Sequence, residues 1–361
     1  MRYDAPSGIE GFSAALRALY SSRGYSRYRM GKFEEYALYG GNLDFLISDR
    51  VITFTDTNGK LMALKPDVTL SIVKHDRDDA SGVRKVCYDE NVYRVSKGTG
   101  SFKEIMQSGL ECIGDVDGCL VGEVLTLAAT SLVLTGARSA LDVSHLGLLS
   151  SVVGEITDDG ATQSAIIKCV GEKNMHDAAK ICREAGASDA AIERLVSVVS
   201  ARGSAKDVAT RLSALDLTEE GRTALCELVE GLSVFEGTEL EDMVTVDLSV
   251  TADPNYYNGV VFKGFVEGIP ESVLSGGQYD RLMEKLGRRS RAVGFAVYID
   301  LLERLIAGHP EYDVDVMLVY GEGTSPRELA AKAGEITESG RSVFCCRRAD
   351  AKIRAGETIE L

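Results

Sequence analysis

The chain has 361 residues, and 40 Lys+Arg against 55 Asp+Glu give it a formal charge of −15 at neutral pH. That balance argues against a dedicated nucleic-acid partner, because phosphate backbones are held chiefly by Lys and Arg. With 45% hydrophobic and 26% charged residues, no apolar run of membrane-helix length and no basic-then-apolar leader, the sequence reads as a soluble cytoplasmic protein of two or three domains.

At the N-terminus Ser7-Gly8-Ile9-Glu10 has the form of a capping box, and Ile9, Phe12, Leu16 and Leu19 recur at helical spacing until Gly24 stops the run. Two short β-branched or apolar runs, Val51-Ile52-Thr53-Phe54 and residues 60–64, flank Asp56-Thr57-Asn58-Gly59, where Asn-Gly signals a hairpin turn. Strands are expected at 85–94 and 108–114, with the polar, Gly-rich stretch 95–101 between them as a mobile loop. From 122 to about 241 the sequence is Ala/Leu-rich with helical period, broken at Gly136, Gly154, Gly160, Gly171, Gly186, Gly203 and Gly221, which predicts a helical middle section.

Alternation returns at Val244, Val246, Leu248 and Val250, and Asp253-Pro254-Asn255 turns the chain into strand candidates at 256–266 and 273–276. Strands that resume after helices imply an antiparallel sheet interrupted by an insertion. Residues 313–361 read as a separate β-α-β unit, with a strand at 314–320, a helix at 326–339 and a strand at 342–346. The eight cysteines stand singly apart from Cys345-Cys346, and the four histidines neighbour no nucleophile motif. Reduced core cysteines are expected, with no metal, no cofactor and no catalytic triad.

Three separated stretches, in order across roughly residues 1–305, resemble the catalytic core of a histidyl-tRNA synthetase, a class II aminoacyl-tRNA synthetase. Leu64-Lys65-Pro66-Asp67-Val68-Thr69 is similar to the family's Leu-Arg-Pro-Glu-x-Thr segment. Val92-Tyr93-Arg94 and Met106-Gln107-Ser108-Gly109-Leu110-Glu111-Cys112-Ile113-Gly114 resemble motif 2. Tyr256-Tyr257, Gly276-Gly277-Gln278-Tyr279-Asp280 and Ala292-Val293-Gly294-Phe295-Ala296, the last taken as a helix start, resemble the Tyr-Tyr signature and motif 3.

The resemblance implies an α+β fold: a class II antiparallel sheet flanked by helices (1–308), a helical insertion at about 150–240, and a truncated anticodon-binding-like α/β unit (313–361). It also implies a histidine pocket. In it Asp67, Thr69 and Gln107 take the α-ammonium and Arg94 the carboxylate. Glu111 accepts from the imidazole, and Tyr257 and Tyr279, with Tyr256 beside them, meet the other edge of the ring.

The departures from the family pattern matter as much. Ala252 and Leu301 stand where a synthetase carries arginines for adenylation and for ATP phosphates, and Gly31 replaces the motif 1 proline. Loss of two such cations removes transition-state stabilisation from adenylyl transfer. A synthetase-like body with a histidine pocket but a defective ATP site resembles the regulatory subunits of ATP phosphoribosyltransferase. That resemblance implies no catalysis of its own, a homodimer through the class II core, and a hetero-oligomer with a short catalytic subunit inhibited by histidine. The rival readings are a divergent synthetase using Lys65, Arg281 or Arg288 as substitute cations, and a free-standing histidine sensor.

Overall fold

The computed structural model describes residues 8–40, 51–75, 82–96, 99–253, 256–306, 312–349 and 352–361, and contacts divide the chain into two units, Met1–Ile306 and Ala307–Leu361. The first unit begins with α1 (Gly8–Ser22), which buries Phe12, Leu16 and Tyr20 at the spacing of one helical face. Gly24 ends the run with φ +83°, a conformation that costs glycine no Cβ clash. Ser7, from the expected capping box, lies outside the described residues.

Strands β1 (Ser26–Arg27) and β2 (Phe33–Glu35), helix α2 (Ala37–Gly40), and strands β3 (Thr53–Thr55) and β4 (Leu61–Leu64) follow. β2, β4 and β3 form a small antiparallel sheet. Its hairpin turns where the sequence predicts. Asp56 Oδ1 accepts from the amides of Asn58 and Lys60, both at 2.8 Å.

Helix α3 (Thr69–His75) leads into the long hairpin of β5 (Val83–Val95) and β6 (Phe102–Gly114). Val95 pairs with Phe102, and the Ser96 amide donates to the Ser101 carbonyl at 2.8 Å, closing the turn. Lys97 and Gly98 of the expected loop lie outside the described residues.

The middle section is not wholly helical. It runs α4 (Gly118–Val133), β7 (Ser139–His145), α5 (Leu146–Gly154), α6 (Gly160–Gly171), α7 (Met175–Glu184), α8 (Asp189–Val199), β8 (Arg202–Gly203), α9 (Ala205–Ser213) and α10 (Glu219–Leu232). β7 lies inside the main sheet, between β9 (Val244–Asp247) and β10 (Val260–Val266). Only Leu141 and Val143 alternate within it, too short a signal among Ala/Leu-rich neighbours. Gly221 does not break a helix but sits inside α10, where a Cβ would lie 2.8 Å from Ser151 Oγ, so its small size serves helix packing.

The unit closes with β11 (Leu274–Gln278), α11 (Asp280–Lys285), β12 (Arg291–Tyr298) and α12 (Ile299–Ile306). The stretch around Gly294 is therefore strand rather than a helix start. The main sheet has nine strands in the order β1-β5-β6-β12-β11-β10-β7-β9-β8. It is mixed where a purely antiparallel sheet was expected: β1 runs parallel to β5, and β7 to β9. Both parallel pairs join strands separated by helices, as crossover geometry requires. One face packs on α1, α4 and α12 through the main apolar core, including Phe12, Leu16, Leu125, Leu132, Phe262, Phe295 and Leu302.

The second unit contains β13 (Val314–Val319), α13 (Pro326–Glu338), β14 (Val343–Cys346) and a third strand, β15 (Ala355–Glu360), all parallel around a central β13. A Ser325/Glu328 capping box starts α13, and Val316, Leu318 and Ile336 form its small core. β15 was not anticipated because its Ala-Gly-Glu-Thr-Ile-Glu sequence is mostly exposed and polar.

Candidate functional site: a polar cavity on the central sheet

The face of the sheet opposite α4 carries a cavity of about 390 Å³. Side chains alternate across a strand, so Gln107 and Glu111 of β6 point into it while Leu110 and Cys112 enter the core. Small residues on the neighbouring strands keep the floor low. Glu111 faces Gly294 on β12, which in turn faces Gly277 on β11. A Cβ at Gly294 would lie 1.8 Å from Glu111 Oε2, and one at Gly276 would lie 2.4 Å from the Gly294 carbonyl oxygen.

All eight residues singled out from the sequence, Asp67, Thr69, Arg94, Gln107, Glu111, Tyr256, Tyr257 and Tyr279, line this one cavity. Glu111 is among them and only 2% exposed. Thr69 Oγ1 donates to Glu111 Oε1 and Tyr279 OH donates to Oε2, each at 2.6 Å. Burial pushes the Glu111 carboxyl up to about 8, the two hydroxyl donors pull against that, and neighbouring Asp67 adds to it. Thr69 and Tyr279 thus hold the acid in place, a task the sequence reading did not give them.

Asp67 precedes α3 and accepts from the Leu70 amide at 2.9 Å, as a helix-capping carboxylate does. Burial raises its pKa, against the Leu70 bond and the charge of Arg94. Arg94 Nε donates to the Pro66 carbonyl at 3.2 Å, which ties the guanidinium to the segment bearing Asp67. Tyr256 and Tyr257 hang on the Asp253 carbonyl through both of their amides, at 3.0 and 2.9 Å. Their rings are 4.5 Å apart, and Tyr256 meets Tyr279 at 5.8 Å. Burial lifts the phenols of Tyr88, Tyr256, Tyr257 and Tyr279 well above their ordinary range, so at neutral pH they are uncharged hydrogen-bonding groups.

Several lining residues escaped the sequence reading. Lys263 on β10 is half-buried and its ammonium pKa is lowered by desolvation. The one signal for it was a lysine inside the apolar run Val260–Val266. Ser275 and Tyr298 share a hydroxyl hydrogen bond of 2.6 Å beside it.

None of the proposed substitute cations lines the cavity. Lys65 is 1% exposed and paired with Glu90, while Arg288 donates to the carbonyls of Val73 and Lys74 at 3.4 and 3.3 Å. Ala252 is in the cavity wall and Leu301 packs against the main core. Among the described residues no group of three His, Cys, Asp or Glu is placed to hold a metal ion, and no helix is long and apolar enough to cross a membrane. The lining combines carboxylate and amide acceptors, a guanidinium and several tyrosine rings, groups suited to a small zwitterion with a hydrogen-bonding ring.

Comparison with known proteins bears on the family and the fold. The ATP phosphoribosyltransferase regulatory subunit of Halalkalibacterium halodurans is 28% identical over 279 residues, covering 76% of this chain and 70% of the relative. A crystal structure described as an ATP phosphoribosyltransferase regulatory subunit/histidyl-tRNA synthetase from Bacillus halodurans superimposes with a TM-score of 0.81 at 23% identity, over 100% of this chain and 98% of that one. A chain of the ATP phosphoribosyl transferase complex from Thermotoga maritima superimposes with a TM-score of 0.63 at 18% identity, over 80% of this chain and 96% of that one; these two likenesses concern the fold. The model of the family described as histidyl-tRNA synthetase matches residues 6–302, most of the sequence. By that match, with the class II sheet and its polar cavity in place, the chain belongs to the histidyl-tRNA synthetase family.

Proposed function

We propose that the chain is the regulatory subunit of an ATP phosphoribosyltransferase, activating a short catalytic subunit and carrying feedback inhibition by histidine. The observation that bears most weight is the content of the cavity. It has retained the acceptors for an amino acid with a ring N–H, while its wall has Ala252 and its nearest cations are Arg94 and Lys263. Adenylation needs positive charge at the phosphates, so the amino-acid half of the chemistry is provided for and the nucleotide half is depleted. The relatives named as regulatory subunits support the same reading.

In this reading Asp67 and Gln107 take the α-ammonium, Arg94 the carboxylate and Glu111 the imidazole N–H, with Tyr256 and Tyr257 stacked along the ring. Thr69 and Tyr279 position Glu111. The assembly is a cytoplasmic hetero-oligomer built on a homodimer of the class II core. Histidine acts because one state of the assembly binds it better than the other; equal affinity would shift nothing.

The test is co-purification with a short catalytic subunit, followed by assay with and without histidine. The expected result is a rate that rises on adding this chain and falls on adding histidine. Histidine-dependent exchange of pyrophosphate with ATP by the purified chain would overturn the reading in favour of a synthetase.

A further inference from the structure

The cavity wall at 250–253 leaves the sheet at Asp247, the last residue of β9. Asp247 is buried, and its Oδ1 accepts from Ser249 through both the amide (2.9 Å) and the hydroxyl (2.5 Å). The Val250 amide donates to the Asp247 carbonyl at 2.9 Å. Beyond the wall, the Asp253 carbonyl holds the amides of Tyr256 and Tyr257. A movement of Asp247 therefore passes directly to the aromatic side of the cavity.

The other carboxylate oxygen of Asp247 is met from the helical insertion. Lys173, in the turn between α6 and α7, places its ammonium 3.8 Å from Asp247 Oδ2, and Arg202 of β8 reaches the same oxygen at 3.6 Å. The α6 end also touches the wall itself. A Cβ on Gly171 would lie 2.0 Å from Thr251 Oγ1 and 3.3 Å from Thr251 Cβ, so Thr251 rests on bare backbone.

The turn is built at a conformational cost. Lys173 has φ +57° and is the only non-glycine residue with positive φ among those described, a region where L-residues other than Asn and Asp are uncommon. It is the left-handed residue of the helix-terminating motif, in which the Asn174 amide donates to the Cys169 carbonyl at 2.8 Å. Glycine would fill that position without strain. A lysine there gains only what its side chain reaches, and it reaches Asp247.

We propose that the turn joining α6 and α7 is a positioning element of the ligand cavity, coupling occupancy of the pocket to the helical insertion through Gly171–Thr251 and Lys173–Asp247. The proposal rests on the histidine-pocket reading. It makes the insertion the part of the molecule that registers whether the pocket is filled, since the turn touches the wall without touching the ligand space.

Hydrogen exchange of the full chain with histidine as probe tests this, alongside calorimetry. Histidine should slow amide exchange in 160–184, and Gly171→Ala should weaken binding about tenfold, within the usual range of site-to-site coupling. Adding Thr251→Ala to Gly171→Ala should recover most of that loss. Lys173→Gly retains the left-handed cap, serves if Gly171→Ala fails to fold, and should diminish the exchange response of the turn. Histidine binding with unchanged exchange in 160–184, or no recovery in the double variant, overturns the coupling. Absence of any binding heat in the unaltered chain instead defeats the pocket reading on which the coupling rests.

Discussion

Gly294 and Glu111 form a matched pair across adjacent strands: the acid occupies the space that a side chain at 294 would need, with Oε2 1.8 Å from where its Cβ would sit. The glycine is thus a condition for the carboxyl to stay beneath the hydroxyls of Thr69 and Tyr279. Gly294→Ala is expected to drive the carboxyl off its bond with Tyr279. Overpacking and a stranded buried polar group each cost about 1–3 kcal/mol, which lowers Tm by several degrees. Histidine binding should weaken more than tenfold. Calorimetry and a thermal melt measure both, and an affinity within twofold of the parent would show that Glu111 does not face the ligand.

The charge state of Glu111 gives a second expectation. Its folded pKa, about 8, lies above the ordinary value of 4.5, so between those limits the folded state holds a proton that the unfolded chain releases. The contribution of Glu111 to stability therefore falls as pH rises from about 4.5 to 8 and is constant on either side. A shift of this size corresponds to about 5 kcal/mol. Glu111→Gln removes the titration, so the melting temperature of the variant should exceed that of the parent increasingly toward pH 8. Parallel melting curves for the two proteins from pH 5 to 8 would contradict the assignment.

The cavity residues were legible through the stretches that resemble the synthetase motifs, which carry Asp67, Thr69, Arg94, Gln107, Glu111, Tyr256, Tyr257 and Tyr279; strand alternation on β6 then explains why Gln107 and Glu111 share a face. The partnership of Thr69 and Tyr279 with Glu111 was not legible, since it joins residues 42 and 168 positions away from Glu111 in the sequence. Lys263 was hidden by its apolar neighbours. β7 was missed because a central strand needs few alternating residues when long-range pairing supplies its stability, and β15 because a parallel edge strand can be almost wholly polar. One of the two parallel pairs follows from the same omission, since β7 runs parallel to β9, while the other joins the two-residue β1 to β5.

Lys65 separates a structural lysine from a catalytic one. Its ammonium is buried against Glu90, and neither residue lines the cavity. Removing one member of a buried pair leaves an uncompensated charge and costs about 3–5 kcal/mol, whereas a hydrophobic replacement of both is often neutral. Lys65→Ala should therefore be strongly destabilised, Lys65→Met/Glu90→Leu close to the parent in denaturant midpoint, and the double variant should still bind histidine. If the stable double variant loses binding, Lys65 serves the site after all.

Histidine binding should depend on pH through the proton shared by Glu111 and the ligand. In the free state Glu111 is protonated below about 8 and the imidazole below about 6.5. The complex retains one proton between them, as imidazole N–H on carboxylate paired with its conjugate form. Between these limits the free partners together already carry one proton, so affinity is level. Below about 6.5 they carry two, and one must leave on binding, so affinity falls toward tenfold per pH unit. Calorimetric titrations from pH 5.5 to 8, repeated in buffers of different ionisation heat, count the proton directly. A release approaching one proton at pH 5.5 and none at pH 7.2 is expected; release that is the same at both would mean that the imidazole meets some group other than Glu111.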